Sequence, residues 1–322
     1  MPNLTRHIMR PVAVLRQSQQ SVTRCRRLFS SVHNPNLALL RHQHLSEGDG
    51  SDDGSVRYDA ADHLQEQLRS KLLHWKSKFG HEAAVAQDSP RPHLLSFECA
   101  PTFTLGRRQD DLSQEQQDRL QRNIKVNLLG RSPPVNDRCY TPDIRKTNRG
   151  GLTTYHGPGQ IVFWPVLDMH SPLYPRYGVA SYASHLESTT QRLLAEVFGI
   201  RTCISRDEPG VWVAAESGAP QHQRKIAALG VHHRRHVTAL GIALNIDIPV
   251  VGDELFNPWA RFVPCGLDGK QVTSVAAELG PSAAEHIWDI PALADRWANI
   301  FEEGLLDASK RTFASDNGSA SR

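Results

Sequence analysis

The apolar pattern of this chain changes period at Gly199, and that change limits the folds open to it. Before Gly199, the positions Val179, Tyr182, Leu186, Leu193, Leu194 and Val197 recur at helical spacing, and the glycine is placed as a left-handed cap. After it, residues 200–204, 211–214, 225–232 and 237–246 read as strands, with Pro209-Gly210 and Arg234-Arg235 as turns. Tyr58, Ala61, Leu64, Leu68, Leu72 and Trp75 give an earlier amphipathic helix, and Asp289, Pro291, Leu293, Trp297, Ile300 and Phe301 mark a last one. Short strands are expected at Leu37–Leu40, Leu94–Phe97 and Phe103–Gly106, and 108–124 should be helical in part. The apolar run 161–167 suits a buried strand, although Pro165 argues for an edge or a bulge. No regular βαβ rhythm links these pieces. The expected fold class is therefore α/β of the α+β type, a mixed sheet with flanking helices.

Charge divides the chain further. Residues 1–30 carry Arg6, Arg10, Arg16, Arg24, Arg26 and Arg27 with no Lys, Asp or Glu, and without those six the formal charge falls from +3 to −3. A basic, acid-free, hydroxyl-bearing start is the composition of a mitochondrial transit peptide, so 1–30 is expected to direct the chain to the matrix. Behind it, 31–306 reads as one domain and 307–322 as a disordered polar tail. Three stretches (46–55, 127–147 and 214–224) are expected to be loop insertions. The acidic body has no nucleic-acid-binding motif, and no window reaches the roughly 20 apolar residues of a membrane span. Neither nucleic acid nor membrane is an expected partner.

Five scattered cysteines, Cys25, Cys99, Cys139, Cys203 and Cys265, include no C-x-x-C, so neither a disulfide framework nor a thiolate zinc site is suggested. The sixteen histidines include no H-E-x-x-H, and His232, His233 and His236 sit among arginines in a turn. No metal and no cofactor is expected. Three segments do suggest chemistry. Arg149-Gly150-Gly151-Leu152-Thr153-Thr154-Tyr155-His156-Gly157-Pro158-Gly159-Gln160 combines close backbone approach with polar groups, but has neither phosphate-loop spacing. Lys225 opens an otherwise apolar strand, either snorkelling at a sheet edge or desolvated beside a reacting group. Cys265 alone among the cysteines lies between Pro and Gly, in a turn able to present its sulfur, and a thiol nucleophile needs a neighbouring cation or base.

Together and in order, these segments resemble the lipoyl(octanoyl) transferase, or lipoate-protein ligase B, family. The resemblance runs from about residue 36 to about 300. It rests on Pro101–Gly106, Arg149-Gly150-Gly151, Thr154–Gln160, Pro209–Val213, Lys225-Ile226 through Leu229-Gly230, Gly241–Asn245 and Pro264-Cys265-Gly266. It implies a biotin/lipoate protein ligase-like catalytic domain that moves octanoyl from acyl-carrier protein to a lysine of a lipoyl domain. Cys265 matches the acyl-thioester nucleophile and Lys225 its activating lysine. Residues 149–156, Ala228, Leu229 and Gly230, and Gly241, Ile242 and Ala243 match the segments lining the acyl pocket, where His156 would orient the carbonyl or relay a proton. Implied acceptors are the glycine-cleavage H protein and 2-oxoacid dehydrogenase E2 domains, served by a monomer. Leu152 departs from the family's usual polar residue. Thioester exchange is nearly balanced and needs no ATP, in keeping with the missing phosphate loop. The alternatives are an ATP-dependent lipoate or biotin ligase on the same fold, and a non-catalytic binding relative lacking the Lys–Cys pair.

Overall fold

The computed structural model describes residues 29–33, 36–47, 54–79, 89–128, 130–132, 134–205, 208–214, 223–262 and 271–312. In chain order the elements are β1 (Phe29–His33), β2 (Arg41–Glu47), α1 (Tyr58–Phe79), β3 (His93–Glu98), β4 (Thr102–Leu105), α2 (Gln114–Leu120), β5 (Ile124–Leu128), β6 (Val135–Tyr140), β7 (Asp143–Lys146), β8 (Thr153–His156), β9 (Gln160–Val166), α3 (Val179–Phe198), β10 (Thr202–Ile204), β11 (Gly210–Val213), β12 (Arg224–Arg234), β13 (Val237–Asn245), β14 (Gln271–Val272), α4 (Val275–Leu279) and α5 (Ile290–Leu306). The main sheet runs β1-β2-β3-β9-β13-β12-β11-β10, with β14 also beside β12. Its pairings are antiparallel except β2–β3 and β12–β14, which makes it the expected mixed sheet. A smaller sheet, β7-β4-β8, and the hairpin β5–β6 complete the fold.

Successive strand residues point to opposite faces, so the register assigns each one. Ile242 lies opposite Phe163, and both belong to the core packed by α3 and α5, where Phe163 stacks on Trp297 at 4.3 Å. Ala243 lies opposite Val162 on the other face, covered by α1 through Leu68 and Leu72. Gly199 caps α3 with φ 65°, donating its N–H to the Ala195 and Leu194 carbonyls, as its spacing predicts. The Asp289 carboxylate caps α5 by accepting the Ala292 N–H.

Several stretches depart from their sequence reading. Leu37–Leu40 is not a strand, because the Glu302 carboxylate gathers the N–H groups of Ala38, Leu39 and Leu40 at 3.0, 2.6 and 2.7 Å and the ladder starts only at Arg41. The stretch 127–147 is not a surface loop. It holds β6 and β7, and its Arg131 is largely buried, bridging Glu98 and Asp247 at 2.7 Å each. Those partners are 33 and 116 residues away, beyond any local pattern. Ser46 and Glu47 finish β2, and Ser55 is buried before Val56, which bridges Cys99, so only 48–53 of the first insertion lies outside the described residues. In the third, Arg224 pairs with Gln271, and 215–222 lie outside. The tail begins with a 3₁₀ turn, Ala308–Arg311. Arg311 is buried over the Tyr177 ring, 3.5 Å from its centroid, and donates to the Gly304 carbonyl at 2.9 Å. Residues 313–322, and 1–28 of the leader, lie outside the described residues, while Phe29 and Ser30 already pair with β2. The tight turn after β12 is Arg235-His236, one residue later than expected, both with left-handed φ (51° and 66°).

Candidate active site

The face of the sheet under α1 carries a run of small residues. Ala228 lies opposite Ala243 and Gly230 opposite Gly241 across the β12–β13 ladder. With side chains this small, the neighbouring elements cannot close completely on the sheet, and a cavity of about 40 Å³ remains above it. Its lining includes these four residues with Leu229, and above them Arg149, Thr154 and His156. At roughly 10–15 Å³ of such volume per water, the cavity holds only a few waters, so an acyl chain enters only as lining side chains turn aside.

Strand alternation sorts the glycine-rich segment. Thr154 and His156 of β8 face the cavity, whereas Tyr155 packs against Phe103 and Trp259 in a separate cluster. Thr153 bonds Gln109 through its N–H and hydroxyl. Gly150, Gly151 and Leu152 do not line the cavity. They form a turn whose carbonyls at Gly151 and Leu152 accept from Arg108 and Gly106, and Gly151 has φ 85°, where glycine is at ease. That turn aims Arg149 over the floor. Its guanidinium donates to the Thr104 carbonyl and hydroxyl, and its Cδ would lie 2.9 Å from a Cβ added at Gly230. Ile242 points to the α3/α5 core instead. Tyr58, Val162, Trp164 and Leu240 line the cavity as well. Their sequence signal was that of ordinary core residues, an apolar stripe on α1 and buried strands in β9 and β13.

His156 has a fixed tautomer. Asn245 must turn its Nδ2 to the Thr273 carbonyl, at 2.9 Å, so its Oδ1 accepts from Gln160 Nε2 at 2.8 Å. Gln160 Oε1 is then left facing His156 Nδ1 at 2.7 Å, which must be the protonated nitrogen. Burial lowers the His156 pKa to about 4, with Gln160 opposing and Arg149 assisting, so the ring is neutral near pH 7 and Nε2 holds a lone pair.

Lys225 reaches the same face through a bulge. Trp212 pairs with Lys225 and Val211 with Ala227, so Ile226 is the extra residue in β12. Ile226 and Ala227 both enter the α3/α5 core, and Lys225 shares the face of Trp212. It is buried, with Nζ 4.5 Å from the centre of a Trp212 ring. Its charge also reaches Glu187, whose carboxyl burial pushes up while the Gly210 N–H and Lys225 pull it down. β14, beside Lys225, is where the chain returns after 263–270, and Cys265 lies in that stretch, outside the described residues. Of the described cysteines, Cys99 is buried with its thiol pushed up to about 12, Cys139 is exposed, and Cys203 is half-buried two strands from Lys225 with Trp212 between. Among the described residues no cluster of His, Cys, Asp and Glu is placed to hold a metal, and no helix is long and apolar enough to cross a membrane.

Comparison with known proteins identifies a family. A family model described as the lipoyl protein ligase A/B catalytic domain matches residues 78–301. An octanoyltransferase of Koribacter versatilis is 32% identical over 79% of this chain and 84% of its own length. One of Mycolicibacterium gilvum is 33% identical over 79% and 82%. A Drosophila melanogaster protein named as a candidate mitochondrial lipoyltransferase 2 is 32% identical over 81% of this chain and 93% of its own.

Proposed function

The chain belongs to the lipoyl protein ligase A/B catalytic family and is an acyltransferase, and on that premise we propose that it moves octanoyl from acyl-carrier protein to a lysine of a lipoyl domain through a thioester on Cys265. The observation that carries this reading is the buried Lys225 ammonium, turned by the Ile226 bulge onto the face that also floors the cavity. A cation held there favours a thiolate nearby, and the small-residue floor accepts an acyl chain.

In the first half-reaction the Cys265 thiolate attacks the carrier thioester carbonyl. A new C–S bond forms, the carrier's C–S bond breaks, and the carrier thiol takes up the proton that Cys265 gave up. In the second, the neutral amine of the acceptor lysine attacks the Cys265 thioester. A C–N bond forms, the Cys265 C–S bond breaks, and the amine's proton passes to a base, with Lys225 in its neutral form the candidate. No nucleotide is consumed. The acceptors are the glycine-cleavage H protein and 2-oxoacid dehydrogenase E2 domains, met by a monomer in the mitochondrial matrix after removal of 1–30.

Intact mass spectrometry of the protein mixed with octanoyl-acyl-carrier protein, without ATP, tests this. An octanoyl adduct labile to hydroxylamine should form, persist in Cys203→Ser and vanish in Cys265→Ser. An adduct that survives Cys265→Ser overturns the assignment. Lys225→Ala should keep the far-ultraviolet dichroism and slow the adduct at least about 100-fold, the usual scale of lost acid–base help.

A further inference from the structure

Beyond the cavity, along β12 away from Lys225, lies a second pocket of about 140 Å³ with a different chemistry, lined by Asp62, Glu66, Arg69, Lys146 and His232. Two residues line both spaces, Tyr58 and Leu240. Leu240 is unusual. It has φ 61°, the left-handed region that side-chain-bearing residues other than Asn and Asp seldom enter. It lies where the β9–β13 ladder is interrupted: the pairs run from Gln160–Asn245 to Phe163–Ile242 and resume at Asp168–Val237, and between them β9 carries Pro165, which has no N–H to give. The Leu240 N–H turns out of the sheet instead and donates to Gln65 Oε1 of α1 at 2.5 Å. The α1 helix thereby fixes the leucine's backbone, and its side chain is buried in the wall between the two spaces.

We propose that Leu240, backed by Tyr58, is the stop that sets acyl-chain length. This rests on the transferase reading above, with Lys225 marking the reacting end. From there an acyl chain runs over Ala228 and Ala243, then Gly230 and Gly241, and meets Leu240 before the polar pocket. Leu240 lies opposite Val231 in the ladder, three residues beyond Ala228, which at about 3.3 Å per residue is roughly 10 Å of floor, the length of a medium acyl chain. Leu240 cannot retreat along its backbone while Gln65 holds it. Charged groups beyond the stop penalise a longer chain that passes it, since their desolvation would go uncompensated.

The test is the adduct assay with hexanoyl-, octanoyl- and dodecanoyl-acyl-carrier protein in competition, on the full chain. The wild-type protein should favour octanoyl over dodecanoyl at least tenfold, and equal labelling overturns the stop without any variant. Leu240→Gly suits φ 61° and removes the side chain, so the dodecanoyl-to-octanoyl ratio should rise tenfold or more. Leu240→Phe should shift labelling towards hexanoyl. Either variant that keeps the wild-type dichroism yet leaves the ratios unchanged overturns the proposal. Absence of any acyl adduct on the wild-type protein would sink the transferase reading instead, which keeps the two failures apart.

Discussion

The two faces of the central sheet are built from alternate residues of the same strands, yet they are filled differently. Towards α3 and α5 the sheet offers Phe163, Ile242 and Leu244 to Trp297 and Phe301, and that face closes into the largest core cluster. Towards α1 it offers Ala228, Gly230, Gly241 and Ala243, and the space they leave stays open. The fold is held mainly by the first face, which leaves the second free to be sparse and polar at its rim. The contrast breaks if truncation costs the same on both. Phe163→Ala should lower unfolding free energy by about 4 kcal/mol in urea titration, the range for a buried aromatic. Gly230→Ala meets the flexible Arg149 side chain first and should cost under about 1 kcal/mol while impairing acylation, because it displaces that side chain over the floor.

How much of this the sequence exposes follows from the range of the interaction involved. α1, α3 and α5, with their Gly199 and Asp289 caps, and the strands β12 and β13 are local patterns whose existence and starts read from the sequence, with α1 and α5 running four and five residues past their last marked position. Lys225 stood out because it opens an otherwise apolar strand, and His156 because it lies in the glycine-rich segment that carries the family resemblance. The missed features are long-range. Arg131 had no visible partner until Glu98 and Asp247 came beside it, and Glu302 captured the strand expected at Leu37–Leu40 from across the chain. The Ile226 bulge and the left-handed Leu240 arise from pairing between strands, which no single strand's alternation encodes. Tyr58 and Trp164 were hidden for the opposite reason, since an aromatic that lines a cavity has the same local signature as one that fills a core.

Each face also carries a histidine held neutral, His156 by the cavity and His185 under α5, where it stacks on Phe301 at 4.3 Å. Burial lowers the first to about 4 and the second to about 3. Well above pH 6.5 neither is protonated, folded or unfolded, and neither affects stability. Below it the unfolded chain binds protons first, so each histidine destabilises the fold as pH falls from 6.5 towards its folded value, by up to about 3 kcal/mol at pH 4. His185→Phe should flatten the fall in melting temperature between pH 6.5 and 4 and leave acylation at pH 7 unchanged. An undiminished acid slope would mean that His185 does not titrate on unfolding.

The smallest expected effect is the most specific to the cavity face. Gln160→Glu replaces an amide that accepts from His156 Nδ1 with a carboxylate that accepts there too, so the ring should keep its orientation. The negative charge, however, favours the imidazolium, and the His156 pKa should climb above its wild-type value of about 4. Asn245 Oδ1 would then face an acceptor rather than the Gln160 amide, which shortens the anchored chain by one link. If the Nε2 lone pair takes part in transfer, the acid limb of the pH–rate profile moves up by the same amount while the rate above pH 7.5 stays near wild type. An NMR titration of His156 in the same variant fixes the comparison. A shifted His156 pKa with an unmoved acid limb would confine His156 to the cavity wall and leave proton transfer to Lys225 alone.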